Sequence, residues 1–139
     1  MKLSPFLFNG GYQLLMFGAR KASLTPSEFR DYYEQKHIPF MQNLTGATFP
    51  LSHVRHYIQR DGAPDYLAQL LPGGQQADFD FDVVAVLTYR DEEHFQENWA
   101  FFENEETARL IREDEANFSG PVRGVVLGET KVTLGGERP

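Results

Sequence analysis

The order strand, helix, strand occurs twice along this chain, and that duplication constrains the fold more than any other feature. Residues 12–20 form a nearly continuous apolar run, as expected of a strand buried on both faces. A helix start follows at once. Thr25 is a good N-cap, Pro26 suits the first helical position, and Glu28 completes a capping box. Phe29, Tyr33, Lys36, His37, Phe40 and Leu44 then share one helical face. Pro39 interrupts that face by removing the backbone donor to Gln35, so the helix should break between Gln35 and Ile38.

A second strand is expected over residues 52–60. Its two faces carry Val54, His56, Ile58 and Arg60 on one side, and His53, Arg55, Tyr57 and Gln59 on the other. The first set holds the aliphatic residues and is expected to lie under the helices. Residues 61–78 read as a long loop, the kind that serves as a lid or an insert. The pattern then repeats: a strand over residues 81–89, a helix capped by Asp91 with the stripe Phe95, Trp99 and Phe102, a further helix over residues 105–117, and a last strand over residues 122–132. The domain is expected over residues 12–133, between an N-terminal arm (1–11) and a loose tail (134–139).

Two such halves predict an α+β fold: a ferredoxin-like split β-α-β sandwich, with a four-stranded antiparallel sheet covered by helices on one face. The uncovered face, expected to carry residues of the first strand with Arg55 and Tyr57, is too apolar for water, which points to a homodimer.

Composition narrows the chemistry. There is no cysteine, which excludes disulfides, Cys–metal sites and thiol nucleophiles. The formal net charge of −7 disfavours nucleic acid as a partner. No run approaches the roughly 18–20 apolar residues of a membrane span, and no export signal is evident, so a cytoplasmic protein is expected. Aromatic residues reach 14%; Phe29, Phe95, Trp99 and Phe102 are expected in the core, and Phe17, Tyr33 and Tyr57 on a pocket wall.

Several polar residues could carry chemistry. His37, at the helix break, is either a general acid–base or a half-buried histidine bonded to a freed carbonyl. The row His53, Arg55 and Tyr57 is either an anion clamp or an interface ladder. Asp78, Asp80 and Asp82 alternate, but lack the glycine and downstream glutamate of a calcium loop, so no metal is expected. Asp82 is the carboxylate expected to meet Arg55 or His37. In the run Glu113-Asp114-Glu115, Asp114 sits at the edge of a stripe carrying Ile111 and Phe118, and the run as a whole reads as a solvated acidic surface.

The stretch Phe29-Arg30-Asp31-Tyr32-Tyr33-Glu34-Gln35-Lys36-His37-Ile38-Pro39 resembles the first-helix motif of the EthD family of dimeric α+β barrels. The segments Ser52-His53-Val54-Arg55-His56-Tyr57-Ile58-Gln59-Arg60, Asp80-Phe81-Asp82-Val83-Val84 and Glu113-Asp114-Glu115-Ala116-Asn117-Phe118 extend the resemblance, in order, over about Leu14 to Val132. It implies a ferredoxin-like protomer, dimeric through its sheet, with no cofactor. It also implies a lyase, cyclase or isomerase acting on a phenolic polyketide or related aromatic intermediate of secondary metabolism. His37 matches the family's histidine, and Arg55 and Tyr57 its arginine and tyrosine. In that picture His37 moves the proton, Arg55 and Tyr57 hold the oxyanion, and His53, Tyr33, Phe17 and Asp82 contact substrate. Two other readings stand beside it: a non-catalytic dimer that binds an aromatic metabolite, and a purely structural interaction module.

Overall fold

In the computed structural model the described residues are 11–137. The expected arm over residues 1–11 therefore lies, but for Gly11, outside the described residues, as do the last two residues of the tail.

Strand β1 (Tyr12–Arg20) leads to helix α1 (Pro26–Tyr32), which starts as the sequence predicts. Thr25 Oγ1 accepts from the Glu28 amide at 3.1 Å and the Thr25 amide donates to Glu28 Oε1 at 2.9 Å, so two otherwise orphaned donors are satisfied. The break expected before Pro39 takes a specific form. Tyr33–His37 is a five-residue π turn in which the Ile38 amide donates to the Tyr33 carbonyl. The wider turn lets the chain pass the missing amide of Pro39 without ending the helix. Helix α2 (Ile38–Thr45) continues from it and stops at Gly46, whose φ of +54° suits glycine.

Strand β2 (Ser52–Tyr57) is shorter than expected. Beyond it, the Ile58 amide donates to the Asp82 carbonyl and Arg60 forms an isolated bridge with Ala68. Residues 61–75 contain no helix or strand, yet they are pinned: the Gln76 amide brackets both backbone groups of Ala68, at 2.8 and 2.9 Å. Strand β3 (Val83–Tyr89) precedes α3 (Glu92–Glu103), capped by Asp91 as predicted, and α4 (Glu105–Glu115), capped by Asn104. Strand β4 (Ser119–Val126) starts and ends earlier than its apolar pattern suggests. Its extent follows the pairing available on β1, from Arg20 opposite Ser119 to Leu14 opposite Val126.

The four strands lie in the order β2-β3-β1-β4, every pair antiparallel, which is the predicted split β-α-β arrangement. Phe29, Val83 and Phe118 form the centre of the core, with Ile111 and Tyr89 also fully buried. No helix among the described residues is long and apolar enough to cross a membrane.

The register corrects one expectation about faces. Arg55 pairs with Ala85, which pairs in turn with Met16; Tyr57, Val83 and Gly18 line up in the same way. Val83 packs on Phe29, and Tyr57 packs against the same cluster. The row His53, Arg55 and Tyr57 therefore lies beneath the helices, while Val54 and His56 belong to the uncovered face. Period-two alternation separates the two faces of a strand but does not say which one the helices cover.

Two residues move for the same reason. Phe17, one position off the Met16 parity, lies on the uncovered face, where its ring meets Phe81 edge-on at 4.9 Å. Asp82 lies just before β3, with its amide on the Gly18 carbonyl, and so meets neither Arg55 nor His37. Instead Asp82 Oδ1 accepts from Arg60 Nε at 2.9 Å and faces Arg20 Nε at 3.3 Å, and Oδ2 accepts the Arg20 amide at 2.9 Å. The remaining alternating aspartates diverge as well. Asp78 bonds the Gln75 amide, and Asp80 pairs with Arg123.

Candidate active site

A cavity of about 550 Å³ lies between the covered sheet face and the helices. That volume suits a small organic ligand. Leu14, Met16 and Leu87 floor it, and the α3 stripe of Phe95, Trp99 and Phe102 forms an aromatic wall. Trp99 stacks on Phe102 with centroids 4.9 Å apart. These three rings were expected in the core with Phe29, but only Phe29 is fully enclosed; Trp99 keeps 40% of its surface exposed. An apolar stripe at helical spacing looks the same whether it faces packed side chains or a cavity.

The polar groups on the cavity include Tyr33, His37, His53 and Glu115. His37 stands at the end of the π turn, edge-on to the Tyr33 ring at 5.1 Å and 4.8 Å from the Phe118 centroid. Its Nδ1 lies 2.6 Å from Asp114 Oδ2. A carboxylate can only accept, so Nδ1 carries the proton and Nε2 presents a lone pair. Asp114 Oδ1 is in turn held by the Tyr32 hydroxyl at 2.8 Å. Burial lowers the His37 pKa from its ordinary value, and the Asp114 carboxylate opposes that shift. The result is a neutral imidazole with a carboxylate ready to stabilise its charged form.

His53 Nε2 lies 3.3 Å from the Tyr33 hydroxyl. Burial, reinforced by Arg55 and His37, drops the His53 pKa to about 4, while burial pushes Tyr33 up to about 12. Both are thus neutral hydrogen-bonding groups near pH 7. Since the unfolded state holds His53 near 6.5, it binds more protons than the folded state between pH 6.5 and 4. Stability should therefore fall, on the order of a few kcal/mol, as pH drops through that window. Urea unfolding of the wild type against His53→Gln checks this: the variant should have a shallower slope between pH 6.5 and 4, keeping the part that the lowered His37 contributes.

Arg55 and Tyr57 occupy a different place from the one expected. Arg55 Nε and Nη2 each donate to Glu34 at 2.5 Å, and Nη1 donates to the His53 carbonyl at 3.0 Å. The Tyr57 hydroxyl donates to the same Glu34 carboxylate. This bidentate pair holds Glu34 down at about 2, and burial followed by Glu34 raises Tyr57. The guanidinium thus meets an internal carboxylate, joining β2 to the π turn and fixing Tyr33 and His37 relative to His53.

Two carboxylates of this cluster were not expected in it. Asp114 left a signal in its place at the edge of the stripe of Ile111 and Phe118, though the acidic run around it pointed to solvent. Glu34 left none, since its partner is 21 residues away on another element.

The match to known families coincides with this architecture. The EthD domain model matches residues 21–121, a span that includes His37, Glu34, Arg55 and Asp114. The chain belongs to the EthD family.

Solved structures share the fold of this EthD chain. It is similar to an ethyl tert-butyl ether D (EthD) family protein of Bacillus halodurans C-125, at 15% identity and a TM-score of 0.52, covering 86% of this chain and 99% of that one. A hypothetical protein of Arabidopsis thaliana, solved in solution, aligns at 13% identity and a TM-score of 0.51, over 91% of this chain and 95% of its own. An EthD-like protein of Ralstonia eutropha JMP134 aligns at 13% identity and a TM-score of 0.50, over 86% and 92%. Comparison with curated protein sequences finds no match.

Proposed function

We propose that this EthD protein is a cofactor-independent lyase or cyclase acting on an aromatic ketone of the phenolic polyketide class, as a homodimer. The observation that carries the reading is the Asp114-held His37, whose neutral ring opens on an aromatic-walled cavity. Decarboxylation, dehydration and aldol-type cyclisation of such ketones all pass through an enol or enolate and need only proton transfers and support for the carbonyl oxygen.

In this mechanism the aromatic wall of α3 stacks on the substrate ring and places the carbonyl at the polar side of the cavity. His37 Nε2 removes a proton from the carbon beside the carbonyl. Asp114 stabilises the imidazolium, much as a carboxylate orients a catalytic histidine elsewhere. Tyr33, neutral and able to accept its own hydrogen bond from His53 Nε2–H, donates its hydroxyl proton in a hydrogen bond to the developing oxyanion. Arg55 and Tyr57 act through Glu34 as positioning residues, holding β2 against the π turn.

Dimerisation rests on the uncovered sheet face. Leu15, Phe17, Val54, Val84 and Val86 lie on it half-buried, and Val125 is 55% exposed. A second copy laid on that face removes the patch from water.

The test is to incubate the protein with a panel of aryl β-keto acids and β-hydroxy aryl ketones and follow loss of CO₂ or water by mass spectrometry. Product formation above the uncatalysed rate supports the proposal. Thermal stabilisation by these compounds with no product formed would instead favour a binding protein.

A further inference from the structure

Ile111, Asp114 and Glu115 sit at i, i+3 and i+4 in the last turns of α4, and Phe118 follows in the turn that leads to β4. Ile111 and Phe118 are 1% and 3% exposed, so this face is turned inward. Asp114 spends its carboxylate on His37 and Tyr32. Glu115 also lines the cavity, but among the described residues its carboxyl has no ion pair and no hydrogen-bond donor. It follows directly in the chain on Asp114, the residue that bonds His37, and Glu115 and His37 both line this cavity.

A half-buried carboxyl that lines a cavity and has no protein partner is free to exchange a proton with a ligand held there. We propose that Glu115 is a second proton-transfer residue of the cavity, acting as the general acid that protonates a leaving oxygen while His37 takes the carbon-bound proton. Burial, with Asp114 adding to it, raises the Glu115 pKa above its ordinary value, which favours the protonated form such a donor needs.

The assignment rests on the lyase reading above and selects the elimination of water from a β-hydroxy aryl ketone. His37 Nε2 accepts the α-proton, and the C–H electron pair becomes the new carbon–carbon π bond. The C–O bond breaks with its electron pair on oxygen, and that oxygen takes the Glu115 proton and departs as water. The two residues are left as imidazolium and carboxylate. The ring then loses its proton and the carboxylate regains one through solvent, with no oxidant or reductant required.

Leaving-group chemistry provides the test, because acetate departs without needing a proton and hydroxide does not. Glu115→Gln should lower turnover of β-hydroxy aryl ketones by about 100-fold or more, the scale of a lost general acid, yet change turnover of their β-acetoxy counterparts by less than about threefold. His37→Gln should lower both. If Glu115→Gln lowers both equally, or neither, the acid assignment is overturned while the lyase reading stands. If the wild type turns over neither compound, the lyase reading fails and takes the acid with it. A series of β-leaving groups on the wild type covers the case in which the variant does not fold. Proton donation predicts a weak dependence of rate on leaving-group pKa, and a steep dependence overturns it.

Discussion

Replacing His37 with alanine should lower kcat/KM on aryl ketone substrates by about 10²–10⁴-fold, the range contributed by a positioned acid–base group. The expectation follows from three contacts. Asp114 Oδ2 lies 2.6 Å from Nδ1, Tyr32 holds Asp114 at 2.8 Å, and the His37 side chain lines the cavity. His37→Gln separates chemistry from folding, since it keeps most of the side-chain volume but has no basic nitrogen. The unfolding midpoint of this variant should move little while its rate falls with that of the alanine variant. The pH dependence carries the same sign as the mechanism. Protonation removes the Nε2 lone pair, so the proton-transfer rate should be level above the lowered His37 pKa and fall as pH drops through it. Steady-state rates from pH 5 to 8 with a substrate that needs no acid assistance measure this directly.

The largest loss of stability should come from a residue outside the cavity. Asp82→Ala removes the carboxylate shared by Arg60 and Arg20, whose side chains are 10% and 19% exposed beside an aspartate that is itself 8% exposed. Two largely buried guanidinium groups lose their counter-charge, and the Arg20 amide loses its acceptor. Breaking a buried pair in this way costs about 3–5 kcal/mol, because the surviving charge remains where water cannot reach it. Asp80→Ala provides the contrast, since Asp80 and Arg123 form a pair in which both side chains are 59% exposed. The unfolding midpoint should hardly move in that variant. Urea unfolding of the two variants alongside the wild type decides between a structural hub at Asp82 and the substrate-contacting role that the family resemblance implied.

Asp82 also shows where a sequence stops being informative. Local rules were enough for the helix start at Thr25, the break before Pro39 and the Asp91 cap, because each depends on a few neighbouring residues and their backbone hydrogen bonds. Element order was likewise enough for the split β-α-β arrangement. The partners of the polar residues were not legible, because a partner depends on register. Arg55 faces Glu34 rather than Asp82 because antiparallel pairing sets it against Ala85, inside β3. The strand faces were misassigned for a related reason. His53, Arg55 and Tyr57 looked too polar to lie under helices, and they can do so only because Glu34 and Tyr33 satisfy them there. The place of His37 at the helix break was legible from Pro39. Its carboxylate partner, 77 residues further along, could be found only by reading Asp114 as part of the buried stripe on α4.

The central claim is that His37 takes a proton from carbon next to a carbonyl, and exchange with solvent measures that step without any later chemistry. An aryl ketone with no leaving group, incubated with the protein in D₂O, can be followed by the decay of its α-proton signals in NMR. The wild type should speed this exchange well above the buffer rate, and His37→Gln should return it to that rate. Equal exchange in the two proteins, or none above buffer in the wild type, would contradict the account.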